Sequence, residues 1–280
     1  MKVKADLHNH LRTSSIFRDR DFNLALDLAC KRLGKNGTFG MINFSDRRYE
    51  HFIELRGYDR LEVGNNGNAV YIPEKKVLVI KGQEIPTKQG HLLVLGLEKD
   101  KHMKEWRDVK DTVKEAKDNN GTIVLDHPFY KHGLGYYIFG VMPELLCEID
   151  AIEVHNGEAS LGIPFVKTRY SKVPNSLARG LYHYWKKTFP DLGALSVSDG
   201  HSLYELGSSW TEINFPYIES KDKFNDSLRE SVRKANLDSQ MKMKKSRIGA
   251  IDHVLDLKFI TSVAPKIGLG YLFETDRPDY

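Results

Sequence analysis

The sequence predicts an α/β barrel. Apolar strand-like runs alternate with amphipathic helical ones, which indicates a parallel sheet with crossover helices. Side chains suited to metal ligation recur just after, or at the start of, those strands: His8, His10, Glu84, His91, His127, Asp199 and His201. No Gly-rich phosphate loop follows the first strand. An open doubly wound sheet gathers its site at one switch point, whereas a barrel builds its site from the C-terminal ends of several strands.

The bulk numbers agree. The chain has 280 residues, enough for one barrel, and 40% apolar residues, enough for its core. The charge is mildly basic, 42 positive against 38 negative, which by itself does not call for nucleic acid. No run of about eighteen apolar residues is present, so no membrane span is expected. Cys30 and Cys147 are the only cysteines, too few for a disulfide framework. A reducing, cytoplasmic setting without a leader segment is the expectation. Residues 1–240 are expected to form the barrel domain, and residues 241–280 an extension packing on it.

The elements read in order as follows. Val3, Ala5 and Leu7 alternate with Lys4, Asp6 and His8, the period of a first strand. After a polar stretch, Phe22, Leu26, Ala29 and Leu33 recur at helical spacing, with Lys31 and Arg32 in the last turn and Gly34 as terminator. A second strand over 38–44 runs into Ser45-Asp46-Arg47-Arg48, and a polar loop with a short helix follows. Two apolar runs around Pro73 to Lys76 read as a hairpin whose second arm leads into Gly82-Gln83-Glu84. His91 begins the next strand. Trp106, Val109, Val113 and Ala116 mark a helix that stops at Asn119-Asn120-Gly121. A strand over 122–125 leads into Asp126-His127-Pro128, and one over 151–154 into His155-Asn156. A long helix follows Pro174, and a strand over 193–197 leads into Ser198-Asp199-Gly200-His201. One more strand over 210–215 and a helix over 221–235 precede a basic run over 242–247 and an amphipathic run over 248–260.

The His8-Asn9-His10 segment carries the chemistry. In an extended chain residues i and i+2 share a face, so two neutral imidazoles leave the first strand side by side. Histidines with Asp and Glu favour zinc, manganese or iron over calcium or magnesium. No cysteine lies beside these residues, which argues against a structural zinc knuckle.

Five motifs in order, Asp-Leu-His-Asn-His, Gly-Gln-Glu, Asp-His-Pro, Glu-Val-His-Asn and Ser-Asp-Gly-His, resemble the polymerase-and-histidinol-phosphatase (PHP) domain over roughly residues 2–235. The resemblance implies a distorted (β/α)7 TIM-like barrel with two or three divalent ions (Zn, Mn or Fe) and phosphoester hydrolysis. It implies His8, His10 and Asp199 on a first metal, Glu84 bridging to a second, His91 and His127 completing that one, and His201 on a third. Thr13-Ser14-Ser15 and Ser45-Asp46-Arg47 stand where the family carries two further ligands of the third metal. The expectation is that Arg47, with Arg12 or Arg48, substitutes a guanidinium for that cation and grips phosphate.

The leading reading is thus a metal-dependent phosphoesterase acting on a sugar phosphate, nucleotide or oligonucleotide. A metal-bound hydroxide would attack phosphorus, an arginine would stabilise the developing charge, and His201 or His155 would protonate the leaving oxygen. The rivals are an amidohydrolase-type enzyme acting on C–N bonds and a non-catalytic metal-binding protein. The expected partner is a small phosphorylated substrate, with nucleic acid as the alternative and no membrane. The sequence leaves the substrate, the metal and the oligomeric state open. His51, His102, His132, His183 and His253 read as ordinary surface or core histidines. Glu153, Asn156, Asp6 and Asp126 read either as orienters of ligands or as loop residues. Tyr130, Tyr136, Tyr137 and Phe139 read either as a substrate mouth or as loop packing.

Overall fold

The computed structural model describes residues 1–11, 18–160, 173–215, 223–237 and 243–244. Its centre is a sheet curled into a nearly closed barrel of eight strands: β10 (Trp210–Asn214), β1 (Lys2–Asp6), β2 (Gly37–Asn43), β5 (Val77–Pro86), β6 (His91–Leu95), β7 (Thr122–Leu125), β8 (Ala151–Asn156) and β9 (Gly193–Val197), in that order around the wall. Outside it, β3 (Leu61–Val63) and β4 (Ala69–Ile72) extend a ribbon from β5, and β11 (Met243–Lys244) adds to β10. The expected distorted TIM-like barrel is what is observed.

The distortion lies in two staves. β6 runs antiparallel to both β5 and β7, and β10 runs antiparallel to β1. The remaining six staves, β1, β2, β5, β7, β8 and β9, point the same way. A reversed β6 puts its first residue, His91, opposite Pro86 at the far end of β5. A histidine that starts a strand therefore reaches the same mouth as residues that end strands.

Closure between β9 and β10 uses a side chain. Thr211 Oγ1 accepts from Ser196 N (2.7 Å) and donates to Ser196 O (3.1 Å). Near the mouth, His10 N donates to Gly200 O at 2.7 Å. Asp6 spans the same seam, accepting from Ser198 N (2.9 Å), Gly207 N (2.7 Å) and the Ser198 hydroxyl.

The barrel interior collects Val3, Ala5, Leu78, Ile80, Leu93, Leu95, Val124 and Leu195, contributed by strands around the whole wall. Helix α6 (Phe224–Arg233) joins this cluster through Phe224, Leu228 and Val232. It closes the end of the barrel where β9 begins: a Cβ on Gly193 would stand 2.1 Å from Val232 O. α1 (Arg18–Leu33) and α2 (Arg48–Ile53) pack on the outer faces of β2, β4 and β5. α3 (Val109–Asp118), α4 (Gly135–Gly140) and α5 (Val173–Trp185) pack outside β6, β7 and β8.

The helices form for local reasons. In α3, Val109, Thr112, Val113 and Ala116 are buried at helical spacing. Asp108 caps it by accepting from Lys110 N at 3.0 Å, and Asn120 turns left-handed at its end with φ 51°. Burying each valine side chain contributes about 1.5–3 kcal/mol. The helix starts at Val109, so Trp106 lies ahead of it, in a loop and exposed. α1 carries Asp19 and Asp21 in its first turn and Lys31 and Arg32 in its last, which suits the helix dipole. Gly34, at φ 80°, ends it with its N–H on Cys30 O.

No helix among the described residues is long and apolar enough to cross a membrane. Of the extension expected over 241–280, only 243–244 are described, as the strand on β10. The basic run over 242–247 otherwise lies outside the described residues, as do Arg12, Thr13-Ser14-Ser15 and the amphipathic run over 248–260.

Candidate metal centre

The strand ends bring His8, His10, Glu84, His91, His127, Asp199 and His201 together at one mouth of the barrel. Three groups of ligand-type atoms form, each spanning no more than 4.8 Å: Glu84 with His91, Asp126 and His127; His8 and His10 with Glu84; and His10 with Asp199 and His201. Glu84 is not beyond its strand but within it, because β5 is ten residues long and keeps pairing as far as Pro86.

Glu84 sits between two sets of histidines. Its Oε1 is 2.6 Å from His91 Nδ1 and 2.9 Å from His127 Nε2. Its Oε2 is 2.9 Å from His10 Nε2 and 3.9 Å from His8 Nε2. One carboxylate thus presents a different oxygen to each pair, the geometry a bridging ligand needs. Asp199 Oδ1 lies 3.5 Å from His8 Nε2 and 3.8 Å from both His10 Nε2 and His201 Nδ1.

Behind these atoms stands a set of fixed partners. His8 Nδ1–H donates to Glu153 Oε1 at 2.7 Å, which fixes the ring with Nε2 toward Glu84 and Asp199, the atom it would offer a cation. Glu153 Oε2 accepts from His127 N (2.9 Å) and from Asn156 Nδ2 (2.8 Å), and Asn156 Nδ2 also donates to Asp199 Oδ2 (2.9 Å). A fully buried glutamate therefore fixes a ring just after β1 and the backbone after β7 at once.

Strict alternation along β8 would place Glu153 and His155 on the same face. The register slips between them, where β8 carries a bulge against β9. In consequence Asn156 turns toward Glu153 and Asp199. His155 is buried with its Nδ1 3.4 Å from Asn175 Nδ2 and does not line the open cleft.

Backbone strain is concentrated here. His127 has φ 23° and Asp199 φ 52°, both in the left-handed region that β-carbons disfavour. The loop after His127 folds tightly enough that a Cβ on Gly133 would stand 2.3 Å from His127 O. That turn brings His132 over His91, ring centroids 5.1 Å apart.

The electrostatics are those of a site crowded with like groups. Burial pushes the Glu84 carboxyl up, but the histidines around it outweigh burial and hold it well below the usual range. Burial drives His8 down, yet Asp199 and Glu153 hold it well above an ordinary imidazole. His127 is raised in the same way by Asp126 and Glu84 against its burial. Burial wins at His10, which is lowered, and at Asp126, pushed up to about 7.

Two features test whether cations fit. Both carboxylate oxygens of Asp126, and Asp199 Oδ1, are buried with no hydrogen-bond partner, a costly condition for a carboxylate. His8 Nε2 and His10 Nε2 face each other at 3.0 Å, where at most one proton can stand between two lone pairs. A divalent cation satisfies both conditions, and the nitrogen and oxygen donors suit zinc, manganese or iron. The residues fit the group.

The centre opens into a cleft of about 570 Å³, lined by His10, Glu84, His91, His127, Asp199 and His201 and by Arg48, Lys88, Lys131, Tyr130, His132 and Trp106. Arg48 Nη2 forms an ion pair with Asp46 Oδ2 at 2.5 Å. Arg47 is exposed and does not line the cleft. Tyr136 and Phe139 are exposed on α4, and Tyr137 packs against the core. A larger hollow of about 690 Å³ at the α6 end is bordered by Arg229, Arg233, Asp226 and Glu230 and has no histidine. Sequence reading missed Lys88, Lys131, Trp106 and the stacking of His132. Nothing in their local pattern announces a cleft, because the β5–β6 turn and the loop before α3 assemble it.

No protein-family model matches the sequence, and no curated protein matches it. The fold is similar to that of PsfC from Pseudomonas syringae PB-5123, with a TM-score of 0.59 at 15% identity over 94% of this chain and 99% of that one. It is also similar to the lesion-specific endonuclease PfuEndoQ from Pyrococcus furiosus, with a TM-score of 0.54 at 13% identity over 100% of this chain and 74% of that one. At these identities the likeness is one of fold.

Proposed function

We propose that this protein is a metal-dependent phosphoesterase with a two-cation centre built around Glu84. The observation that carries the reading is the split of the Glu84 carboxylate, one oxygen to His91 and His127 and the other to His8 and His10. The ordered motifs that resemble a PHP domain support it, as does a fold shared with an endonuclease.

Bound there, divalent cations would supply Lewis acidity toward water and phosphoryl oxygens. The remaining roles fall to side chains. Glu153 locks the His8 tautomer, and Asn156 holds Asp199 through Oδ2 so that Oδ1 stays available. Arg48 lines the cleft with Nε and Nη1 buried and without hydrogen-bond partners, while Asp46 fixes its orientation. A phosphate oxygen suits those two donors, since a guanidinium keeps its charge at every working pH. Lys88 and Lys131 add positive charge at the rim. His201 lines the cleft, partly exposed, with Nδ1 3.0 Å from Asp199 O. That contact takes the Nδ1 proton and leaves Nε2 to exchange a proton with a leaving oxygen. Arg47 and His155 stand outside the cleft wall, so Arg48 and His201 take the roles in this reading.

Elemental analysis of purified protein, followed by assay with manganese or zinc on phosphomonoesters, phosphodiesters and amides, tests the reading. The expected outcome is about two ions per chain and hydrolysis of phosphoesters only. Glu84→Gln should abolish turnover, and Arg48→Met should raise KM more than it lowers kcat. Amide turnover, or bound metal without any turnover, overturns the proposal.

A further inference from the structure

Trp106 is the most conspicuous residue of the cleft that the metal chemistry leaves unused. It is 66% exposed, and its backbone is left-handed at φ 59°. A bulky aromatic residue rarely adopts that conformation, and it persists only where the surroundings impose it.

The surroundings do so here. The loop from 99 to 106 is tied to β5 at three points. Lys81 Nζ donates to Lys99 O (2.6 Å) and Lys101 O (2.7 Å). Gln83 clamps Met103 from both sides, Nε2 to Met103 O at 2.9 Å and Met103 N to Oε1 at 2.7 Å. Trp106 N donates to Pro86 O at 2.6 Å. The exposed indole is thus carried on a rigid strap, over a cleft that also holds the Glu84 centre, Arg48, Lys88 and Lys131.

We infer that Trp106 is a stacking platform for a flat heteroaromatic ring, and that the substrate is a nucleotide-type phosphoester. The inference rests on the phosphoesterase reading and names its substrate class. The ring would lie on the indole while the phosphate reaches Arg48 and the cation centre. A cleft of about 570 Å³ is in the size range of small-molecule sites, so it suits one nucleotide unit. Stacking on an aromatic face tolerates any base, and Arg48, Lys88 and Lys131 complement the phosphate, with Glu158 the acidic residue at the same rim.

The test is calorimetric binding to the zinc-loaded full chain of adenosine 5′-monophosphate, ribose 5-phosphate and inorganic phosphate, with indole fluorescence read alongside. The nucleotide should bind about tenfold or more tighter than ribose 5-phosphate, within the range set by base–aromatic stacking, and should quench the indole signal. Trp106→Gly, which suits the left-handed backbone, should erase that preference and the quenching. It should leave ribose 5-phosphate affinity and bound zinc unchanged, and Trp106→Phe should retain part of the preference. A trinucleotide arm separates sources: tighter binding than the mononucleotide points to a strand end, equal binding to a free nucleotide. Equal affinity for nucleotide and sugar phosphate, or a preference that survives Trp106→Gly, overturns the stacking platform alone. If no phosphate compound binds, the phosphoesterase reading falls and this inference with it.

Discussion

Two buried charged clusters lie on opposite flanks of β5, and they are built on opposite terms. At the first, Lys81 is fully buried and its ammonium has three acceptors: Glu50 Oε1 at 2.5 Å and the carbonyls of Lys99 and Lys101. Asn43 in turn donates to Glu50 Oε2 at 2.8 Å. Three donors meet three acceptors, and nothing is left over. At the second, around Glu84, both carboxylate oxygens of Asp126 and one of Asp199 are buried with no hydrogen-bond partner. A charge cluster that closes on itself holds structure together. One that leaves buried atoms unmatched is arranged for something that must arrive.

Deleting a charge from each cluster is the sharpest way to break this contrast. Lys81→Met should destabilise the protein by about 3–5 kcal/mol, because Glu50 stays buried without its partner. Denaturant unfolding in chelator measures it, and a loss below about 1 kcal/mol would erase the distinction. The same variant carries a pH signature. Burial holds the Lys81 pKa below its ordinary value, against the attraction of Glu50. The unfolded chain then binds more protons as pH rises through the folded pKa, so stability from this group rises toward pH 10.5, the ordinary value. That upward slope should vanish in Lys81→Met.

At the other cluster the sign should reverse. Asp126→Asn removes a carboxylate that makes no hydrogen bond and whose burial outweighs its pairing with His127 Nε2 at 3.1 Å, so stability in chelator should hold or rise by about 1 kcal/mol. Metal affinity should fall about 10–100-fold, the usual cost of disturbing a metal surround. With zinc at about 100 times its Kd, the parent should gain about 2.7 kcal/mol over its metal-free form, and the variant less. A metal-free variant that unfolds much more easily than the parent would place Asp126 among the structural charges instead.

The smallest effect is expected at the strap that joins the two clusters. Trp106→Gly relieves a left-handed tryptophan and gives up little buried surface, so stability should change by less than about 1 kcal/mol in either direction. A larger loss would mean that the indole supports the loop rather than being supported by it.

Much of the mouth was legible in the sequence because strand ends are. His8, His10, His127 and Asp199 follow apolar runs, and the period of those runs fixes where they emerge. Glu84 was found for a reason that needed adjustment, since its strand continues past it. His91 opens a strand, and only the reversal of β6 explains why it arrives at the same end. The bulge in β8 was not legible: a slip of one residue leaves no mark on the pattern Ala-Ile-Glu-Val-His-Asn, yet it exchanges His155 for Asn156 at the centre. Trp106 fitted the helical spacing of Val109, Val113 and Ala116, and the cap at Asp108 excluded it. Glu153 read either as an orienter of ligands or as a loop residue, and Lys81 only as the end of an apolar run, because their value lies in partners more than a dozen residues away.

The seam between β9 and β10 has a further consequence. There one threonine hydroxyl replaces part of a backbone ladder, making it the loosest joint in the wall. His8 and His10 leave β1, next to that joint, and Asp199 and His201 leave β9, on its other side. An ion gripped by His10 and Asp199 would rivet β1 to β9 across that joint, so the cofactor would also serve as the hoop of the barrel.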